Sequence, residues 1–419
     1  MLPGYLPGLG FFGTSKPSLG FVFGDQSDIR YEAAKYGYLT NYPEFNQNFT
    51  QVKTKRFDYT AQVEPISDLK IDLVAERNYS ENYSEQYDVS PDGMYNSRSP
   101  YNTGNFNIST ILIKTAFKTS NENESEIFDR FRKNRYAIAT RLAEEYYGGG
   151  GYPVDLEGYP VGFGKNSQRV LLPAFVSAYS GIKTSAVNTS LFRNFPLPNW
   201  TIKYTGLMKI DWFKDNFKRF SLQHGYRSSY SVNAFRSNLN PNPIDSNGNF
   251  YPDVITSNVN LTEQFNPLVM IDFEMKNSFN FKVGVKKDRT MNMSFDNNLL
   301  TEVQGHDYTI GLGYRIKDVT INSKLADNAT GLIKSDVNLK ADFTLRRNMT
   351  IVRYLDYDNN QLGGGQNIWS VKLTADYSFS RNLTAIFFYD HQFSKAIIST
   401  AFPITNIRSG ITVRYNFGN

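Results

Sequence analysis

Apolar and polar residues alternate with a period of two through long stretches of this chain, and the alternation stops at short polar breaks. The pattern is most regular in three eight-residue segments, Phe273–Asn280, Phe343–Thr350 and Tyr377–Thr384. In each, two apolar residues alternate with polar ones, a charged or amide pair follows, and the alternation resumes. Such a segment predicts a strand, a tight reversal and a second strand. Tyr314–Thr320 and Ala61–Leu69 read as looser versions of the same signal. Strands are predicted over Phe57–Val63, Leu69–Ala75, Phe106–Phe117 and Trp200–Leu207, with a polar loop over 79–103. Further strands are expected near 218–235, 261–275, 278–295, 305–316, 319–325, 335–346, 349–357, 367–379, 382–393 and 405–417. The total is about 14 strands.

The period changes over residues 121–147. Ile127, Phe131, Ile138, Leu142 and Tyr146 fall on one face at helical spacing. Ser125 suits an N-cap, and Gly148 to Gly151 suit a stop. This amphipathic helix is expected on the rim of the strand assembly or inside it. The apolar run Val170–Tyr179, broken by Pro173, reads as a brief helix or a packed loop. The chain therefore divides into a Gly/Pro/aromatic-rich segment (1–50), strands (51–118), a helical and loop insertion (119–199) and strands again (200–419), with a short helix opening near Gly24–Arg30. Strand parity does not close across 119–213: either a strand is hidden in 119–199, or 200–213 does not span fully.

Composition turns this pattern into a membrane reading. Aromatics make up 15% of the 419 residues, with 28 Tyr and 32 Phe. Yet mean hydropathy is -0.45. Strands that meet lipid on one face and water on the other satisfy both facts. No apolar stretch is long enough for a membrane helix. Short turns at one end and Asn/Asp/Gly loops at the other predict an all-β membrane protein, an antiparallel transmembrane β-barrel with a helical insertion. Its periplasmic end is the one with tight turns. Phe273, Phe279, Tyr314, Phe343, Tyr377 and Phe379 are expected in the interfacial aromatic girdle. Ile411, Val413, Tyr415 and Phe417 alternate at the C-terminus, as a barrel-closing strand requires. The start, Met1–Gly8, lacks the basic and apolar regions of a secretory leader. The chain is therefore expected to be a piece of a longer protein, or a mature form.

Chemistry-bearing motifs are sparse. Cys is absent, and a net charge of +5 is spread without a dense basic run, which argues against nucleic-acid binding. His224, His306 and His391 lie far apart on predicted strands, with no motif to make one catalytic. Gly148–Gly151 and Gly363–Gly365 lack the Lys-Ser or Lys-Thr of a phosphate loop. Asp356–Asn360 has oxygen ligands at calcium-like spacing but not the Gly and Glu of an EF-hand, and reads as a solvated loop. Asn348–Thr350 and Asn382–Thr384 are sequons placed in the repeated turn, where Asn suits the reversal. No cofactor, metal or catalytic residue is expected.

Several segments together resemble one family. They are Leu2–Gly8, Gly20–Gly24, Gly164–Phe175, Pro198–Gly206, His224–Tyr230 and Ile407–Asn419. The chain is similar over nearly all its length to the C-terminal part of the SprA (Sov) family, the outer-membrane translocons of type IX secretion and gliding motility in the Bacteroidota. That resemblance implies an arc of one very large barrel, of about 36 strands, in the bacterial outer membrane. It implies a pore for folded cargo proteins with C-terminal sorting domains. The implied partners are the remainder of the barrel, a PorV-type barrel, a periplasmic plug protein and the lipid bilayer. The competing readings are a self-contained porin or fatty-acid-type channel, a TonB-dependent-type transporter, and an outer-membrane lipase or protease.

Overall fold

The computed structural model describes residues 28–42, 48–240, 243–322, 332–357, 359–380, 382–398 and 401–417. It contains one antiparallel sheet of 13 strands. They are β1 (Asn48–Ile66), β2 (Leu69–Val89), β3 (Tyr95–Ser109), β4 (Asn199–Tyr204), β5 (Phe217–Ser237), β6 (Val254–Ile255) and β7 (Asn258–Met275). The remainder are β8 (Phe279–Ser294), β9 (Leu299–Asn322), β10 (Leu332–Tyr354), β11 (Asn360–Ser378), β12 (Leu383–Ala396) and β13 (Ile404–Tyr415). Neighbours in sequence are neighbours in space, as in an up-and-down meander. Among the described residues four α-helices accompany them: α1 (Arg30–Lys35), α2 (Glu126–Tyr147), α3 (Gln168–Ser180) and α4 (Asp211–Asn216). The Gly/Pro-rich segment Met1–Gly24 lies outside the described residues.

The parity gap has a simple origin. β3 lies between β2 and β5 in the upper half of the sheet, and β4 lies between the same two strands in the lower half. They are two halves of one column. The chain leaves it after Ser109, builds the helical insertion, and returns at Asn199 to finish it. Strand Phe106–Phe117 therefore ends early: beyond Ser109 the backbone turns out of the sheet into a 3-10 turn at Ile113–Thr115. The expected loop 79–103 is instead the upper half of a β2–β3 hairpin, turning at residues 90–94. Its Tyr, Asn and Ser residues extend the ladder above the apolar band, where polar side chains on both faces are no obstacle.

Three of the five turn signals are turns. Ser67-Asp68 joins β1 to β2, residues 276–278 join β7 to β8, and residues 379–382 join β11 to β12. In the second, the Asn277 side chain accepts from the Phe279 amide at 3.1 Å and Ser278 takes φ 69°. In the third, Ser380 Oγ accepts from the Leu383 amide at 3.1 Å. The other two are not turns. Phe343–Thr350 runs straight through β10, paired residue for residue with β9 and β11. Tyr314–Thr320 stays within β9, where Asp318 at φ 58° sits at a register shift opposite Ser335–Val337. Asp336 accepts from the Asp318 amide and pairs with Arg315, which stabilises that bulge. Hence the expected strands 305–316 and 319–325 are one strand, β9, as far as Asn322, beyond which 323–325 lie outside the described residues; 335–346 and 349–357 are one strand, β10, which ends at Tyr354.

Gly104 marks a close approach in the upper sheet. A Cβ there would fall 2.1 Å from the Ser80 carbonyl oxygen and 2.5 Å from the Phe235 ring. Gly104→Ala should therefore destabilise the β2–β3–β5 region by roughly 1–3 kcal/mol, as overpacking does, read by denaturant midpoint at unchanged m-value.

Candidate functional site

Because side chains alternate across a strand and the register is continuous, each level of the sheet can be read on both faces. One face is charged. A single row across seven strands runs Asp272, Lys282, Gly311, Asp342, Lys372, Asp390, Arg408. Its signs alternate, and Arg408 closes on Asp390 at 2.8 Å. Asp272 of the row also pairs with Arg219 at 2.9 Å, and other levels carry Arg346–Asp307 at 3.4 Å and Asn338–Asp376 at 2.8 Å.

The opposite face is apolar. The same strands present Ile271, Val283, Ile310, Phe343, Val371, His391 and Ile407 in one row. Another row is Phe279, Tyr314, Leu339, Ala375, Phe387 and Ile411. These side chains lack cover: Tyr308 is 47% exposed, Phe387 47% and Ile411 70%. The band extends along β9 from Tyr308 to Ile316. That is eight steps, or on the order of 25 Å along the strand, the scale of a membrane barrel's apolar band. Above it the same face changes character and carries the insertion.

The insertion is a small packed unit. Ser125 caps α2 by accepting from the Phe128 amide at 3.3 Å. Gly148, at φ 74°, ends the helix. Ile127, Phe131, Ile138 and Leu142 form the buried face, whereas Tyr146 lies 59% exposed. Tyr146 sits in the last turn, beside Phe250 (4.7 Å) and Tyr147 (4.9 Å) rather than under α3. Val170–Tyr179 is helical and lies within α3, which is buried from Val170 to Ser180. Burial holds the Tyr179 hydroxyl protonated, far above the ordinary tyrosine range. These helices share one core with Val259, Leu261, Met291, Met293 and Leu300 of the sheet and with Leu355, just past the end of β10. Of the two expected places, the rim or the interior of the strand assembly, the insertion takes neither the charged face nor the space in front of it: it stands on the apolar face, above the band. Ser125→Ala should remove about 1 kcal/mol from α2, detectable as faster amide exchange in its first turn.

Two charged clamps fix this unit. Arg289 of β8 donates to Glu263 at 2.7 Å, to the Thr115 carbonyl at 3.0 Å and to Thr115 Oγ1 at 2.7 Å. Glu263 also accepts from Tyr226, 2.7 Å away. The Leu112 amide donates to the Tyr226 hydroxyl at 2.7 Å. Arg353 of β10 donates to Glu302 at 3.2 Å, to Ser120 Oγ at 2.8 Å and to the Asn121 carbonyl at 3.0 Å. Both ion pairs are buried, with Arg353 and Glu302 side chains 0% and 1% exposed. Arg135 adds a third tie, to the Leu355 carbonyl at 3.2 Å and to Asp356. Asp356 also accepts from Asn166 at 2.9 Å, so it is a clamp residue; its calcium-loop companion Asp358 lies outside the described residues.

The expected girdle residues fall at different heights. Phe279 and Tyr314 pair at one level low in the band, and Tyr377 lies below them, donating to the Val319 and Ile333 carbonyls at 3.1 Å each. Phe379 follows β11 and contacts Tyr377 at 5.1 Å. Phe273 and Phe343 lie inside the band rather than at its margin. The upper margin is aromatic through Tyr308, Trp369 and Phe393, with the last two rings 5.4 Å apart. Only the register reveals that row. Ile411, Val413 and Tyr415 lie on β13, which pairs with β12; Phe417 follows the strand. Among the described residues, no strand pairs β13 with β1. His224 contacts the Leu268 carbonyl at 2.6 Å and His391 the Tyr389 hydroxyl at 3.3 Å. His306 lies on the apolar face level with Arg347. The three histidines are not brought together.

A sheet with one exposed apolar face and one charged face is the arrangement of a membrane β-barrel wall. No family model and no curated protein matches the chain. Among solved structures, OmpT (in-vitro folded), an outer membrane protein of Vibrio cholerae, in its trimer form, is 10% identical, with 88% of this chain and 99% of that chain covered and a TM-score of 0.23. A loop L8 deletion mutant of that OmpT is 10% identical, with 88% and 99% covered and a TM-score of 0.21. Overlays this loose carry no argument, and the class rests on the sheet itself.

Proposed function

We propose that this sheet is an arc of the wall of a protein-conducting channel in the bacterial outer membrane, of the type IX secretion kind. The observation that carries the reading is the pair of unjoined edges. Among the described residues β1 and β13 each pair on one side only, and their side chains are exposed on both faces. A long two-faced sheet with two free edges needs further strands to close in lipid, because unpaired backbone groups are costly there. The charged face would line a hydrated lumen. The insertion, standing on the other face, leaves that lumen unobstructed. The short turns 67–68, 276–278 and 379–382 share one end with periplasmic character, and a long connection, 238–253, lies at the other.

In this reading the missing strands are supplied by the rest of a SprA-like barrel. A PorV-type barrel and a periplasmic plug protein would be its partners, and cargo with C-terminal sorting domains its substrate. Transport here is steric and electrostatic, with no bond made or broken. The test is planar-bilayer conductance. The 419 residues alone should give no steady channel, whereas the arc joined to the other strands should give a large one. A stable, small-molecule-sized conductance from the chain alone would favour a self-contained porin or TonB-dependent-type transporter instead.

A further inference from the structure

We propose that the upper margin of the apolar face binds the phosphate-bearing headgroup of an outer-leaflet lipid, in the recess under the eave of the insertion. This rests on reading that face as the membrane side of the wall. The first observation is a row in register, directly above Tyr308, Leu345, Trp369 and Phe393. It runs Lys287, His306, Arg347, Asn367, Lys395 across five adjacent strands. Four strand spacings make it roughly 19 Å wide. It contains no acidic residue.

The second observation is the state of those cations. Lys287 is occupied by the insertion: it donates to the Ala116 carbonyl at 2.6 Å and lies 4.7 Å from the centre of the Phe117 ring. Arg347 and Lys395 are exposed, and among the described residues neither forms a salt bridge. Its neighbour Arg346, pointing to the charged face, does have an aspartate. The carboxylate closest above, Glu302, is already committed to Arg353, Ser120 and Gln304. An unpaired guanidinium on the apolar face of a membrane wall calls for an anion at that height.

The third observation is space of the right polarity. A recess of about 640 Å³ opens between the sheet and residues 120–121 of the insertion. Its upper wall holds Gln304, His306 and Arg347; its lower wall holds Tyr308, Leu345 and Trp369. Polar groups above and apolar groups below match a lipid whose phosphate meets Arg347 and whose first methylenes lie on Trp369. A guanidinium can take a phosphate by two parallel hydrogen bonds. With the tight-turn end periplasmic, this margin faces the outer leaflet.

The probe is quenching of Trp369 by brominated lipids, with the arc joined to the other strands of its barrel, as in the conductance test, in phosphatidylcholine vesicles. The Trp369 signal is isolated by subtracting the Trp369→Phe variant. Brominated phosphatidylcholine throughout should quench it; no quenching would overturn the membrane-face reading itself. A minor fraction of brominated phosphatidic acid should then quench about tenfold more effectively than the same fraction of brominated phosphatidylcholine. Arg347→Gln with Lys395→Gln should abolish that preference, and Lys282→Gln with Lys340→Gln, on the charged face, should preserve it. Equal quenching by both lipids, or a preference that survives Arg347→Gln and Lys395→Gln, overturns the lipid site while leaving the membrane face standing. Loss of the preference on adding inorganic phosphate alone would identify a free-anion site and overturn the lipid assignment.

Discussion

Arg353→Ala should cost about 3–5 kcal/mol, the range for removing one partner of a buried ion pair. The loss is large because three acceptors lose a donor together. Glu302 stays buried with its charge, the Asn121 carbonyl loses its contact with the sheet, and Ser120 Oγ is left with Glu302 as its one bond to the sheet. The released segment leads directly into α2, so the insertion should loosen before the strands do. Limited proteolysis should cut within residues 110–198 while β7–β10 remain protected. The paired variant Arg353→Met with Glu302→Leu separates charge from packing. It removes both charges and should recover most of the stability, since a matched apolar pair often equals a buried ion pair. Its Ser120 contact stays lost, so recovery should be incomplete. If Arg353→Ala and the paired variant are equally unstable, the clamp acts through shape rather than charge.

The clamp was invisible in the sequence for a physical reason. Arg289 and Arg353 occupy strand positions where alternation places an outward side chain, and a charge there looks like a polar interruption. What makes it structural is the chain that returns from residues 112–121 to meet it. Such a meeting has no local signature. By contrast, the two-residue period, the amphipathic run behind Ser125 and the stop at Gly148 depend on neighbours in sequence, and these features were legible. Tight turns were legible only in part. Arg346-Arg347-Asn348 breaks the apolar pattern as a turn does, but in β10 the break marks where the strand leaves the apolar band. One face of the strand passes from Leu345 to Arg347, and the backbone continues unbent to Tyr354. The split β3–β4 column was equally hidden, since each half has strand character and only pairing to β2 and β5 shows that they share one place.

Phe343→Lys tests which face meets lipid. Phe343 lies inside the apolar band, two residues below its upper margin at Leu345, between Ile310 and Val371, and it is 41% exposed. In water, exchanging an exposed aromatic on a strand for lysine costs little. In a bilayer the same change places an ammonium inside the apolar band, between its margin and its centre, at a cost of about 2 kcal/mol. Thr344→Lys is the internal comparison. It lies one residue on, directed to the charged face, and should change stability by roughly 0.5 kcal/mol or less. Reversible unfolding in vesicles therefore should separate two adjacent lysines by about 1–2 kcal/mol, and unfolding in a polar detergent-free buffer should not. A third position fixes the height of the boundary. Leu345→Lys lies at the upper margin, next to the native Arg347, and should cost no more than about 1 kcal/mol, because the penalty falls toward the interface. Equal penalties at Phe343 and Thr344 would mean that both faces meet water, and the wall would have to be read as the sheet of a soluble assembly.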